Sequence, residues 1–97
     1  NVLMEHADVE EAAAVGIPDP HWGEAVVVYV VPKNKAGVEE DTLIQHCRSR
    51  LAKYKVPKEV VFATELPVNS HGKVLKRELR EAYAKAERSR EQSTEMG

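Results

Sequence analysis

The sequence predicts a small α+β domain: a β-sheet of about three strands with helices packed on it. Three observations point there. Residues 24–32, EAVVVYVVP, are almost unbroken in β-branched side chains. Leu43, Ile44, Cys47 and Leu51 recur at helical spacing. The chain has 97 residues, 42% hydrophobic and 31% charged, which suits one compact unit rather than a disordered one. With a single Phe and a single Trp, its core must be aliphatic.

Val2, Leu3 and Met4 give an apolar side to a short helical remnant ending near His6. The start at Asn1, within what reads as the last turns of a helix, is expected to be a cut end of a longer protein. Residues 12–17 read as a strand that stops at PDP, where two prolines cannot continue a ladder. Residues 24–32 have the pattern of a strand covered on both faces or lying at the sheet centre.

After the turn-forming KNKAG, a helix is predicted over 39–53, with Leu43, Ile44, Cys47 and Leu51 on one face. Glu39, Glu40 and Asp41 at its start, and Arg48, Arg50 and Lys53 near its end, complement the helix dipole. Pro57 disfavours helical geometry at Val56 and closes the element near Tyr54. EVVFAT supplies a third short strand, and Leu66 and Pro67 begin a loop. Leu75, Leu79 and either Ala82 or Tyr83 then predict a helix over about 75–85. The tail 86–97 has no apolar period and is expected to be disordered.

Several function classes are disfavoured. A balance of 14 basic against 16 acidic residues creates no field toward nucleic acid or a membrane surface. There is no apolar run of about 18 residues, and one cysteine excludes an internal disulfide framework, so a cytoplasmic protein is expected. The four histidines are spread without partners at ligand spacing, and no metal site is expected. No glycine-rich phosphate loop and no serine–histidine–acid motif is present. The basic cluster KVLKRELR is interrupted by glutamates and has no interleaved aromatics, as a solvated helix face would be.

Three places remain open to more than one reading. Lys73 follows Gly72 at a loop–helix junction, either as part of a plain turn or as an ammonium on a loose tether that reaches an oxyanion or phosphate. Trp22 and Gly23 either cover a sheet edge or line a channel for a thin ligand. Tyr54, Lys55 and Lys58 around Pro57 make either a helix end or a phosphate-binding rim.

VEEAAAVGIPDPHWGEAVVVYVVP, LIQHCRSRLAKYKVPKEVVFATELP and NSHGKVLKREL resemble, in order and spacing, the small C-terminal domain of the acyl-adenylate-forming family. That family of AMP-forming acyl-CoA synthetases also includes luciferases and the adenylation domains of peptide synthetases. The resemblance implies a cap domain over 1–85, closing on a large N-terminal domain that holds ATP, Mg and the carboxylic acid. It implies that Lys73 is the catalytic lysine, bridging the acid's carboxylate and the α-phosphate during adenylation. Trp22 and Gly23 would flank the pantetheine tunnel, and Tyr54, Lys55 and Lys58 would lie near the CoA nucleotide. At Val56 some relatives carry a basic residue and this chain does not.

Leu75 after GKV resembles the acyl-CoA synthetase form, since peptide synthetase domains more often carry aspartate there. The resemblance thus implies an ATP-dependent acid–CoA ligase acting in fatty acid metabolism or on another carboxylic acid, with this piece inactive alone. The alternatives are a free-standing module that docks on a separate large subunit or carrier protein, a peptide synthetase cap, or a plain structural domain.

Overall fold

The computed structural model describes all residues except Asn1, Trp22, Lys35, Ala36 and Gly97. Strand β1 (Val9–Asp19) pairs antiparallel with β2 (Gly23–Pro32), which pairs in parallel with β3 (Glu59–Phe62). The sheet order is β1-β2-β3, so β2 is central as its unbroken apolar run predicts. A parallel pair needs a crossover, and helix α1 (Glu40–Arg48) provides it. Helix α2 (Lys76–Met96) ends the fold, and short 3₁₀ turns stand at Val2–Glu5 and Lys53–Lys55.

Both faces of the sheet are covered, which is why β2 lacks alternation. Val27, Tyr29 and Val31 of β2 join Ala13, Val15 and Ile17 of β1 beneath Leu79 and Tyr83 of α2. Val28 and Val30 join Val60 beneath Leu43 and Cys47 of α1 and Leu3 of the first turn. Tyr83 rather than Ala82 is the buried member of the last helix's stripe.

Several boundaries differ from those expected. Strand β1 is longer than 12–17, because an edge strand tolerates Pro18, and a register shift between Val9 and Glu11 changes which face the side chains meet. Val9 therefore packs on the α1 side with Ala12 and Ala14. Helix α1 stops at Arg48, short of 53. There the Ser49 hydroxyl donates to the His46 carbonyl at 2.8 Å, and the amides of Arg50 and Leu51 both converge on the Cys47 carbonyl. The last helix begins one residue later than expected. It also continues to Met96 instead of ending near Lys85. Its ERSREQSTEM run holds mostly good helix formers and no glycine or proline.

Tertiary hydrogen bonds fix the layers. The Tyr29 hydroxyl donates to the Leu79 carbonyl at 3.1 Å, and the Tyr83 hydroxyl donates to Glu59 at 2.7 Å, tying α2 to β2 and β3. On the other side the Val60 amide donates to the Glu40 carboxylate at 2.7 Å, joining α1 to the edge strand.

Candidate functional site

Lys73 stands at the tip of a compact hairpin between β3 and α2. Val68 and Val74 form an antiparallel bridge, and the Leu75 amide donates to the Pro67 carbonyl at 2.9 Å. Inside that stem the Asn69 amide donates to the Lys73 carbonyl and the Gly72 amide donates to the Asn69 carbonyl, both at 2.9 Å. This pattern closes a three-residue loop, Ser70 to Gly72, whose last residue adopts left-handed geometry. Gly72 has φ +79, which explains a glycine directly before the lysine.

The tether is therefore not loose. The Asn69 carboxamide oxygen accepts the amides of His71 at 2.8 Å and Lys73 at 3.0 Å, so the loop is braced from within. Sequence reasoning assigned Asn69 no part in holding the lysine. The signal it missed is the habit of an asparagine side chain to bond the backbone two residues on. The Lys73 side chain is exposed, and its ammonium has no carboxylate partner among the described residues.

The other predicted residues gather at a different place. Gly23, with φ +79, pairs with Asp19 where β1 turns into β2. Asp19 was not singled out from the sequence, yet it links two predicted positions. One carboxylate oxygen accepts the His21 amide at 2.9 Å, shaping the turn, and the other lies 3.8 Å from the Lys58 ammonium. Lys58 is itself held beside β2 by its amide bond to the Val26 carbonyl at 2.9 Å.

Lys55 and Lys58 line an open groove of about 1630 Å³, with Val26, Leu51 and Val56 among its apolar walls. Exposed Arg48 and Lys53 add to its basic side, a contribution that separate consideration of YKVPK did not reveal. Cys47 also borders the groove, but burial pushes its thiol above the ordinary 9.0, which keeps it protonated and unsuited to nucleophilic work. Of the remaining predicted residues, Tyr54 belongs to the Lys53–Lys55 turn, with its side chain outside the described atoms, and Trp22 lies outside the described residues.

The lysine hairpin and the basic groove do not share one surface. Helix α2 starts three residues after Lys73, and at Tyr83, Ala84 and Glu87 it borders a cleft with Pro18, Pro20 and Lys58. Along the helix axis, at 1.5 Å per residue, that cleft extends from Arg80, about 6 Å beyond Lys76, to Glu87, about 16 Å beyond it. None of the hairpin residues 68–74 lines the basic groove or this cleft.

A mixed three-stranded sheet between α1 and α2 is the architecture of the C-terminal domains of acyl-CoA synthetases. A fatty acyl CoA synthetase from Mycobacterium tuberculosis superposes with a TM-score of 0.81 at 41% identity, over 88% of this chain and 17% of that one. The chain belongs to the AMP-binding enzyme C-terminal domain family, whose model matches residues 1–73.

Among curated relatives, a long-chain-fatty-acid–CoA ligase of Salmonella typhimurium is 51% identical over 81 residues, which is 84% of this chain and 14% of that protein. A 2-succinylbenzoate–CoA ligase of Geobacillus kaustophilus is 43% identical over 88 residues, 91% of this chain and 18% of that protein. The amide bond synthetase McbA from Marinactinospora thermotolerans superposes with a TM-score of 0.79 at 40% identity, over 84% of this chain and 17% of that one. The chain thus spans less than a fifth of the length of these relatives.

Proposed function

We propose that this chain is the C-terminal catalytic cap of an ATP-dependent acid–CoA ligase. The enzyme would convert a carboxylate to an acyl-adenylate and then to an acyl-CoA, releasing pyrophosphate and AMP. The observation that carries this reading is Lys73, an exposed ammonium on a hydrogen-bonded hairpin, within a chain 51% identical to part of a long-chain-fatty-acid–CoA ligase. Attack of the carboxylate on the α-phosphorus builds negative charge on oxygen, and a cation brought to that point lowers the barrier.

The groove end serves the second half-reaction in this proposal. Lys55 and Lys58, with Gly23 and the Trp22 and Tyr54 positions, would meet CoA. Arg48 and Lys53 supply positive charge near Val56, which has none. The basic side of the groove therefore fits the phosphates of CoA. Because no residue of the hairpin lines the groove, a rotation of the cap would exchange one for the other and separate the two reactions.

Among the described residues no cluster of three or more His, Cys, Asp or Glu could hold a metal ion. ATP and its Mg would therefore rest mainly on the large N-terminal domain. That partner would also select the acid, with fatty acids the first class to test. The cap itself would comprise residues 1–85, inactive in isolation, and would work in the cytoplasm. No described helix is long and apolar enough to cross a membrane.

The test is Lys73→Ala in the full-length protein. Acid-dependent pyrophosphate exchange should fall by about 100- to 1000-fold, while thioester formation from preformed acyl-adenylate is retained. Normal exchange in that variant would sink the adenylation role. The likeness to an amide bond synthetase and the uncharged Val56 favour one second reading, an acceptor other than CoA. Product formation that proceeds equally well without CoA would select it.

A further inference from the structure

We propose that Asn69 is the positioning residue for Lys73, an inference that rests on the adenylation role just proposed. Asn69 makes four hydrogen bonds to the three residues that follow Ser70. Its side-chain oxygen accepts the amides of His71 and Lys73, its own amide donates to the Lys73 carbonyl, and its carbonyl accepts the Gly72 amide. Both side-chain contacts come from backbone N–H donors, so the atom facing them is the carboxamide oxygen.

Burial cannot define this loop instead. Ser70, His71, Gly72 and Lys73 are all exposed, and Val68 in the stem is 50% exposed. A lysine side chain has four rotatable bonds, so its ammonium finds one point in a cleft efficiently only if its Cα is fixed. The Asn69 carboxamide bonds the Lys73 amide itself, and thus fixes the backbone atom next to that Cα. Without it the His71 and Lys73 amides turn to water, and the tip gains conformations that carry the lysine away from the reacting phosphate.

The experiment uses the full-length ligase with Asn69→Ala, Asn69→Asp, Lys73→Ala and the Asn69→Ala/Lys73→Ala pair. Asn69→Ala should lower kcat for adenylation by about 10- to 100-fold, with KM for ATP little changed and thioester formation from preformed adenylate intact. Asn69→Asp keeps the size and an acceptor oxygen for both amides, and should recover most of the loss. In the Lys73→Ala background, Asn69→Ala should cost nothing more, since its effect passes through the lysine.

Wild-type adenylation in Asn69→Ala, an aspartate variant no better than alanine, or an undiminished further loss in the double variant would each overturn the proposal. Lys73→Ala with normal adenylation would instead overturn the reading on which it rests, so the two failures are distinguishable. Amide exchange at His71 and Lys73 provides a readout without turnover: it should quicken in Asn69→Ala, and unchanged exchange would also overturn the proposal.

Discussion

At the residue scale, small polar or acidic side chains contact the two candidate lysines, Asn69 at the Lys73 amide and Asp19 at the Lys58 ammonium. GK was legible as a glycine before a reaching lysine, because left-handed geometry and a long cation have recognisable residue signatures. The brace was not legible, since an asparagine's hydrogen-bond partners depend on how the loop closes. Asp19 behaves similarly: PDP reads as the end of a strand, yet in the fold its carboxylate meets both the His21 amide and Lys58. The Lys58 side chain is 45% exposed and its ion pair spans 3.8 Å, so the pair contributes at most about 1 kcal/mol. In the proposed role its ammonium would exchange Asp19 for a phosphate of CoA. Lys58→Ala in the full protein should raise KM for CoA by about tenfold, the loss of one charged hydrogen bond, without slowing adenylation. An unaltered KM for CoA would remove Lys58 from the proposed CoA path.

At the element scale, β2 was read almost to its ends because a two-sided burial leaves a continuous apolar run. Strand β1 was read short because Glu10, Glu11 and Pro18 break its pattern, and only the pairing with β2 shows that an edge strand accommodates them. The end of α1 depends equally on context, since Leu51 keeps the apolar spacing and packs with the helix's cluster after the helix has stopped. Beyond the packing of Leu43 and Cys47, the Glu40 carboxylate ties α1 to the sheet by accepting the Val60 amide at 2.7 Å. Removing it leaves a partly buried donor unpaired, a cost of about 1–3 kcal/mol. Glu40→Ala should then lower Tm by several degrees more than Asp41→Ala, whose side chain is exposed. Equal shifts for the two variants in thermal denaturation would show that the contact holds nothing.

At the scale of the whole molecule, burial sets the response to alkali. Tyr29 is pushed above its ordinary 10.0 by burial and by the nearby Glu59 charge, and Cys47 above 9.0 by burial. In the folded state both groups stay protonated at a pH where the unfolded chain begins to lose the proton. Their contribution to stability is therefore intact below pH 9.0 and is lost as pH rises through 9.0 and 10.0 toward the folded-state values. Tm measured from neutral pH upward should hold and then decline above about pH 9. Tyr29→Phe should flatten the later part of that decline, while costing about 1 kcal/mol at neutral pH through the lost Leu79 bond. A wild-type Tm that stays level through pH 11 would contradict this account of the core.

The sequence by itself determined the fold class, the central strand, the two helical stripes and the position of the candidate lysine, because periodicity, β-branching and glycine punctuation are local properties. Three ordered segments were also enough to place the chain in its family. Tertiary structure alone decided the sheet order, the face assigned to each side chain of β1, and the placement of Lys58 in a groove that no residue of the Lys73 hairpin lines. It alone showed Asn69 closing the hairpin and Asp19 joining the turn to Lys58. These features arise from contacts between residues distant in sequence or from the closure of a loop, and a local habit such as an asparagine's bond to the backbone two residues on does not by itself fix them.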